Sequence, residues 1–265
     1  MLIWILVPLV VLGVGVVAAV VWWRWDTARQ PAVLDAVPTM RRAVADAVVA
    51  AGPGAASAIS GVVRSSQCRI SAVRQGGVFT ARADLYTDPG GEDALITGIA
   101  EQLSDTYPVR RGAAVSGTRP LEADVGQGVR LAVRRLGAGW LTVSARTGCS
   151  LGTVAGQQSP PAGGPAAAAI TATFAALGTR PASFVAHQLD CPGGSLITVA
   201  AVSEPVDSAG LRARLAAAVP VGARRFASGE SNRVAYRNGA VSVIVAASDD
   251  GTTVTGQYTA GCQNP

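Results

Sequence analysis

Two stretches of this chain repeat one another. The series Pro108-Val109, Ser116-Gly117, Gly148-Cys149 recurs as Pro220-Val221, Ser228-Gly229, Gly261-Cys262. In both copies the Ser-Gly pair stands eight residues after the proline, and the cysteine follows the proline by 41 and 42 residues. Matching ends over that distance indicate a tandem duplication, so the chain must satisfy one fold twice, each time with roughly a hundred residues.

The correspondence extends upstream and predicts the elements. Each unit has an Ala-rich helical stretch ending at glycine (Met40 to Gly52; Ala166 to Gly178), then a strand, a Gly-Gly turn (Gly76-Gly77; Gly193-Gly194), a second strand, a second helix and three closing strands. In the first unit Phe79, Ala81, Ala83 and Leu85 alternate with Thr80, Arg82 and Asp84, the period-2 pattern of a strand with one dry face. Asp88 and Pro89 stand where an N-cap and a first-turn proline belong, before the apolar stripe Leu95, Ile96, Ile99, Leu103. Val129, Leu131 and Val133 turn at Gly137 to Gly139 and return as Leu141, Val143 and Ala145. In the second unit Asn238-Gly239 and Asp250-Gly251 signal tight hairpins. The expected class is α+β, each unit an antiparallel sheet of about five strands with two helices on one face.

The divisions expected are a transmembrane anchor at 1–25, a juxtamembrane linker at 26–39, the first repeat at 40–149, a Pro/Gly-rich linker at 150–165 and the second repeat at 166–265. From Leu2 to Trp23 no charge interrupts the apolar run, and at 1.5 Å per residue it reaches about 33 Å, enough to cross a bilayer core. A cleaved leader would begin with basic residues and end at small ones, whereas this run ends in Trp22, Trp23, Arg24 and Trp25, an interfacial belt. A single retained span in the cell membrane is therefore expected. Arg24, Arg29, Arg41 and Arg42 follow the span, and the positive-inside rule taken alone would leave the units in the cytoplasm.

The cysteines argue the opposite. Cys68, Cys149, Cys191 and Cys262 form no CxxC motif, and with a single His no metal site is expected. One cysteine falls in the first hairpin of each unit and one after its last strand, which favours Cys68–Cys149 and Cys191–Cys262 among the three possible connectivities. Each bridge would close a loop of 70 to 80 residues, contributing about 4 kcal/mol in the chain-entropy model. That contribution requires an oxidising compartment, so the units are expected to be extracytoplasmic. Cores built mainly from Ala and Val, with aromatic residues at 5%, need the support.

Charge excludes one class of partner. All the basic residues are arginines and the net charge is +5, but it is dispersed: 10 Arg against 8 carboxylates from Cys68 to Cys149, and 6 against 5 from Cys191 to Cys262. The doublets Arg110–Arg111, Arg134–Arg135 and Arg224–Arg225 read as solvated surface, and no aromatic-basic alternation marks a nucleic-acid platform. No nucleic-acid partner is expected.

Catalytic constellations are equally sparse. His187, Asp190, Cys191 and Ser195 lie close in sequence, but His187 falls on a strand, Cys191 is required for a bridge and Ser195 adjoins a turn. Gly126-Gln127-Gly128 and Gly137-Ala138-Gly139 separate strands and read as hairpins, not as phosphate cradles. Glu122/Asp124 and Asp249/Asp250 read as strand-surface and turn residues. No catalytic residue and no cofactor is assigned.

The expectation is a non-catalytic, membrane-tethered extracytoplasmic protein whose duplicated units bind an envelope or membrane-protein partner or a cell-wall component. Arg82, Arg130 and Arg134 alternate onto one sheet face and are the candidate contacts. The alternatives are a ligand sensor or enzyme using an inter-domain cleft, and a cytoplasm-facing membrane assembly factor.

Overall fold

A computed structural model describes residues 32–71, 73–115, 117–154, 164–191, 194–207, 209–226 and 232–262. The expected anchor at 1–25 lies outside the described residues, as do 155–163 of the linker and the repeated Ser228-Gly229. No described helix is long and apolar enough to cross a membrane.

The first unit runs α1 (Val33–Ala51), a 3-10 turn, β1 (Ala56–Ser71), β2 (Arg74–Tyr86), α2 (Glu92–Ser104), β3 (Val109–Arg111), β4 (Leu121–Asp124), β5 (Val129–Gly137) and β6 (Trp140–Thr147). The second runs α3 (Pro165–Ala176), β7 (Pro181–Cys191), β8 (Gly194–Ser203), α4 (Leu211–Ala217), β9 (Arg224–Phe226), β10 (Arg233–Asn238), β11 (Val241–Ala247) and β12 (Val254–Ala260). The sheets have strand orders β1-β2-β6-β5-β4-β3 and β7-β8-β12-β11-β10-β9, the same topology written twice, with every pairing antiparallel. The described residues therefore form two six-stranded antiparallel sheets with four helices, a mixed α+β architecture in two tandem units. The strand beyond the expected five is β3 or β9, three residues long and too short to show alternation.

Three local expectations change. Helix α1 begins at Val33, not Met40, because the stripe Val33, Val37, Met40, Val44 and Val48 continues through Pro38, which is exposed and interrupts nothing buried. Helix α2 begins at Glu92 with Gly91 as N-cap, not at Asp88. Asp88 to Gly91 instead closes a turn, and Glu92 is drawn inward: its carboxylate accepts the Gly139 N–H at 2.6 Å and the Gly90 N–H at 2.8 Å, with Arg135 at 3.5 Å. Burial raises the Glu92 pKa, but these hydrogen bonds and the arginine outweigh it and hold the carboxyl below its ordinary value.

The third change concerns the Gly-Gly pairs. Gly76 and Gly77 lie within β2, not in the turn. Cys68 pairs in register with Gly76, and Gly77 exchanges two backbone hydrogen bonds with Ser150, one residue past Cys149. A Cβ on Gly76 would lie 3.0 Å from the Cys149 sulfur and 2.9 Å from the Ser150 carbonyl oxygen. Gly76 thus clears the ground over which the first bridge passes. In the second unit Cys191 stands opposite Gly194, where a Cβ would meet the Cys262 sulfur at an ordinary 3.9 Å. The bridges are Cys68–Cys149 and Cys191–Cys262, with Cα separations of 5.9 and 6.3 Å, inside the ordinary disulfide range.

Each core lies between one sheet face and its helices. In the first, Met40, Val44, Ile96, Ile99 and Leu103 meet Leu85, Leu131, Val133, Leu141 and Val143; in the second, Ile170, Phe174, Leu211 and Leu215 meet Val199, Val234, Val243 and Val245. Phe174 packs directly on the backbone of β12, where a Cβ on Gly256 would approach its ring to 2.8 Å.

The units are docked asymmetrically. The face of the second sheet turned away from its helices receives the first unit: Ala56, Ala58 and Tyr86 pack on Phe226, Ala235 and Ile244, with Trp140 at the margin. Thr198, Thr259 and Ser242 stand opposite one another across β8, β12 and β11 on that face, and all three are buried. Thr198 accepts the Ile59 N–H at 3.0 Å. Arginines of β10 complete the seam. Arg237 donates to Gly52 O at 2.6 Å and Ala55 O at 3.2 Å, just beyond the C-terminus of α1, where a cation is favoured. Arg233 donates to the Tyr86 hydroxyl at 2.9 Å and covers the Trp140 ring at 4.2 Å. A hollow of about 140 Å³ remains at the seam, and no carboxylate lines it.

Two outcomes follow. Gly256→Val should lower stability by about 2 kcal/mol, read as a fall in denaturation midpoint, because the Phe174 ring has no room to retreat. Glu92→Gln should cost about 1–2 kcal/mol at neutral pH. Because the Glu92 pKa is lowered by folding, its contribution is present above the unfolded value and lost as pH falls through the folded one. Denaturation curves at neutral and acid pH should therefore converge for wild type and variant on acidification; a gap that widens in acid refutes the assignment.

Candidate partner-binding face

The first sheet has a corresponding back face, and most of it is uncovered. On β5 the buried residues Val129, Leu131 and Val133 point to the helices, so Arg130, Ala132 and Arg134 point away. Register then fixes their neighbours. Across the sheet, Arg82, Ser144, Ala132, Glu122 and Arg110 stand opposite one another in succession on β2, β6, β5, β4 and β3. The adjacent row on one side is Thr80, Arg146, Arg130 and Asp124, and the row on the other side holds Asp84, Thr142 and Arg134.

Arg82, Arg130 and Arg134 therefore share one face, joined by Arg110 and Arg146, which the sequence reading did not single out. They surround a floor of small residues, Ala132 and Ser144, and Arg110, Arg130, Arg134 and Arg146 line much of an open depression of about 660 Å³, from which Arg82 is set apart. Two of them are neutralised locally: Arg134 pairs with Glu122 at 3.0 Å and Arg82 with Asp84 at 2.8 Å. Asp124 is turned to the β4–β5 loop, accepting the Gly126 N–H at 3.0 Å. Arg110, Arg130 and Arg146 are exposed and form no ion pair among the described residues.

Arg130 and Arg146 are directly opposite on neighbouring strands. Like charges in that relation repel and weaken the sheet, so the pair is unfavourable in the isolated molecule. Guanidinium groups are well matched to carboxylates or phosphates, which they bind through two parallel hydrogen bonds, and an anion seated between the two would relieve the repulsion.

The remaining sequence candidates do not converge. His187 stands opposite Thr198 on β8, three positions from Ser195, which pairs with Asp190, while Cys191 is bridged. His187 lines an open groove between β1 and β7 with Arg41, Arg64 and Asp190, and its partial burial lowers its pKa. Asp250 accepts hydrogen bonds from Ser248 and Thr252 within its turn, which holds its carboxyl at about 2. No cluster of three or more His, Cys, Asp or Glu side chains suited to a metal occurs among the described residues.

The chain matches no known protein family, and a search of curated proteins finds no match either. A solved structure described as the complex structure of Pseudomonas aeruginosa MucA/MucB aligns with 81% of this chain and 91% of that one at 12% identity. Its TM-score is 0.13, a superposition too loose to carry fold or function from one to the other. What the fold and face define is a class: a duplicated, disulfide-closed α+β protein with one uncovered, arginine-bearing sheet face.

Arg146→Thr should leave stability unchanged or raise it by about 0.5 kcal/mol, with the gain largest at low salt, because it removes a repulsion and no contact. A clear loss of thermal midpoint would show that Arg146 is structural.

Proposed function

We propose that this is a membrane-anchored extracytoplasmic protein that acts without catalysis, binding an envelope or membrane-protein partner through the back face of its first sheet. The observation that carries the reading is the asymmetry between two like units. The second unit's back face is consumed by the internal seam, while the first unit's back face gives only its Ala56, Ala58, Tyr86 and Trp140 end to that seam and leaves open the region of β3 to β6 that carries the like-charge pair Arg130 and Arg146. The compartment is supported by the two disulfides, each within a unit, which fit an oxidising environment. The anchor is supported by the uninterrupted apolar run before Trp23 and the tryptophans that follow it.

The arginines flanking that run support the opposite orientation, a cytoplasm-facing assembly factor. A compartment-sensitive reporter fused after Pro265 separates the two. An export-dependent reporter should be active, and thiol labelling of intact cells should find no free cysteine until reductant is added. Proximity labelling from the full chain in intact cells should enrich envelope or membrane proteins; a cytoplasm-only reporter signal, or no enriched neighbour, refutes the proposal.

A further inference from the structure

We infer that the arginine face receives an extended acidic segment of a protein partner, held by carboxylates on the arginines and by one apolar side chain beside them. This rests on the partner-binding reading and specifies its chemistry.

The apolar half comes from the β3–β4 loop. Val115 and Thr118 exchange two backbone hydrogen bonds, of 2.9 and 3.0 Å, folding the loop back on itself. The fold holds Val115 in the open, 66% exposed, across a hollow from Pro120 and from Leu136, 47% exposed. This hollow measures about 560 Å³. Arg134 lines both it and the arginine depression, so the two form one continuous surface. An apolar recess open to water, joined through Arg134 to a depression that holds Arg110, Arg130 and Arg146, suits a ligand that brings both a hydrophobic anchor and negative charge.

Other occupants fit less well. A uniformly charged polyanion would meet Asp84, Glu122 and Asp124 among the five arginines and leave the apolar recess empty. A second copy, docking as the first unit docks on the second, would need a neutral face like Ala235, Ile244, Thr198 and Ser242, whereas here it would bury arginines without partners. The floor of Ala132, Ser144 and Thr142 offers no aromatic ring for stacking a base or sugar.

Short random peptides displayed on phage and panned against the full chain provide the test. The enriched pool should carry acidic residues beside a Leu, Ile, Val or Phe. A fluorescent peptide from that pool should lose affinity about tenfold when Arg130→Glu and Arg146→Glu are combined. It should lose affinity severalfold on Val115→Ser, or when its own apolar residue becomes serine. Arg130→Gln with Arg146→Gln, checked by thermal melting, gives the same test with less perturbation of the sheet. A pool without acidic enrichment overturns the inference. So does inorganic polyphosphate displacing a peptide whose apolar residue proves dispensable, or self-association of the chain that the charge reversals abolish. Partner binding and its acidic chemistry are distinguishable in cells. A proximity-labelled neighbour retained by the Arg130→Glu, Arg146→Glu variant defeats the acidic segment but leaves partner binding intact, whereas no neighbour for the wild type defeats the broader reading.

Discussion

Burial of the second sheet's back face by the first unit is the contact on which the rest of the architecture turns. A sheet with helices on only one side leaves its other side wet, and a core made largely of Ala and Val gains little per residue. The second unit solves this by making its back face an interior. Its hydroxyl row, Thr198, Thr259 and Ser242, is closed over by β1, and Thr198 meets the otherwise unpaired outer edge of that strand at the Ile59 N–H. The same contact protects an edge that would otherwise be open to association. It also decides which surface is left over, because the seam takes only the Ala56, Ala58, Tyr86 and Trp140 end of the first sheet's back face and leaves the rest uncovered.

The seam is fastened by arginines where a larger protein would use bulky apolar residues. Arg237 has lost water by burial, which lowers its pKa, yet it remains a cation held by two carbonyls past the end of α1. Arg233 lies between a hydroxyl and an indole. These contacts are directional, so they fix the orientation of the units more strictly than the small patch of Ala56, Ala58, Ala235 and Ile244 would alone. Leu189 and Leu196 of the second unit extend the first core, so the second unit contributes to the first one's interior.

Much of this was legible in the sequence, and the failures share a cause. Duplication, class and cysteine connectivity follow from spacing and alternation, which are local or repeated. A glycine pair near a hairpin has the local meaning of a turn, whereas Gly76 answers to a sulfur bridge whose two ends are 81 residues apart. Asp88 has the local pattern of a cap for α2, but the donor that draws Glu92 inward, the Gly139 N–H, comes from a different hairpin. Arg130 and Arg134 could be placed on the outer face by alternation alone. That Arg146 stands opposite Arg130 depends on the bulge between Arg135 and Gly137, which shifts the register by one and is set by the fit of the two apolar faces rather than by the turn residues.

That bulge ties stability to function. Without it the β5–β6 pairing would slip by one residue, and every side chain of one strand would change faces relative to its partner. The hydrophobic requirement that Leu131 and Val133 face Ala145 and Val143 therefore forces Arg130 against Arg146, whatever that repulsion costs. The charge pair is then retained because the core fixes its position, not because either arginine supports the sheet. A duplicated fold supplies the setting in which such a pair is tolerated: the second unit's sheet carries most of the seam, each unit is closed by its own disulfide, and the rest of the first sheet's back face holds charges on which the stability of neither core depends.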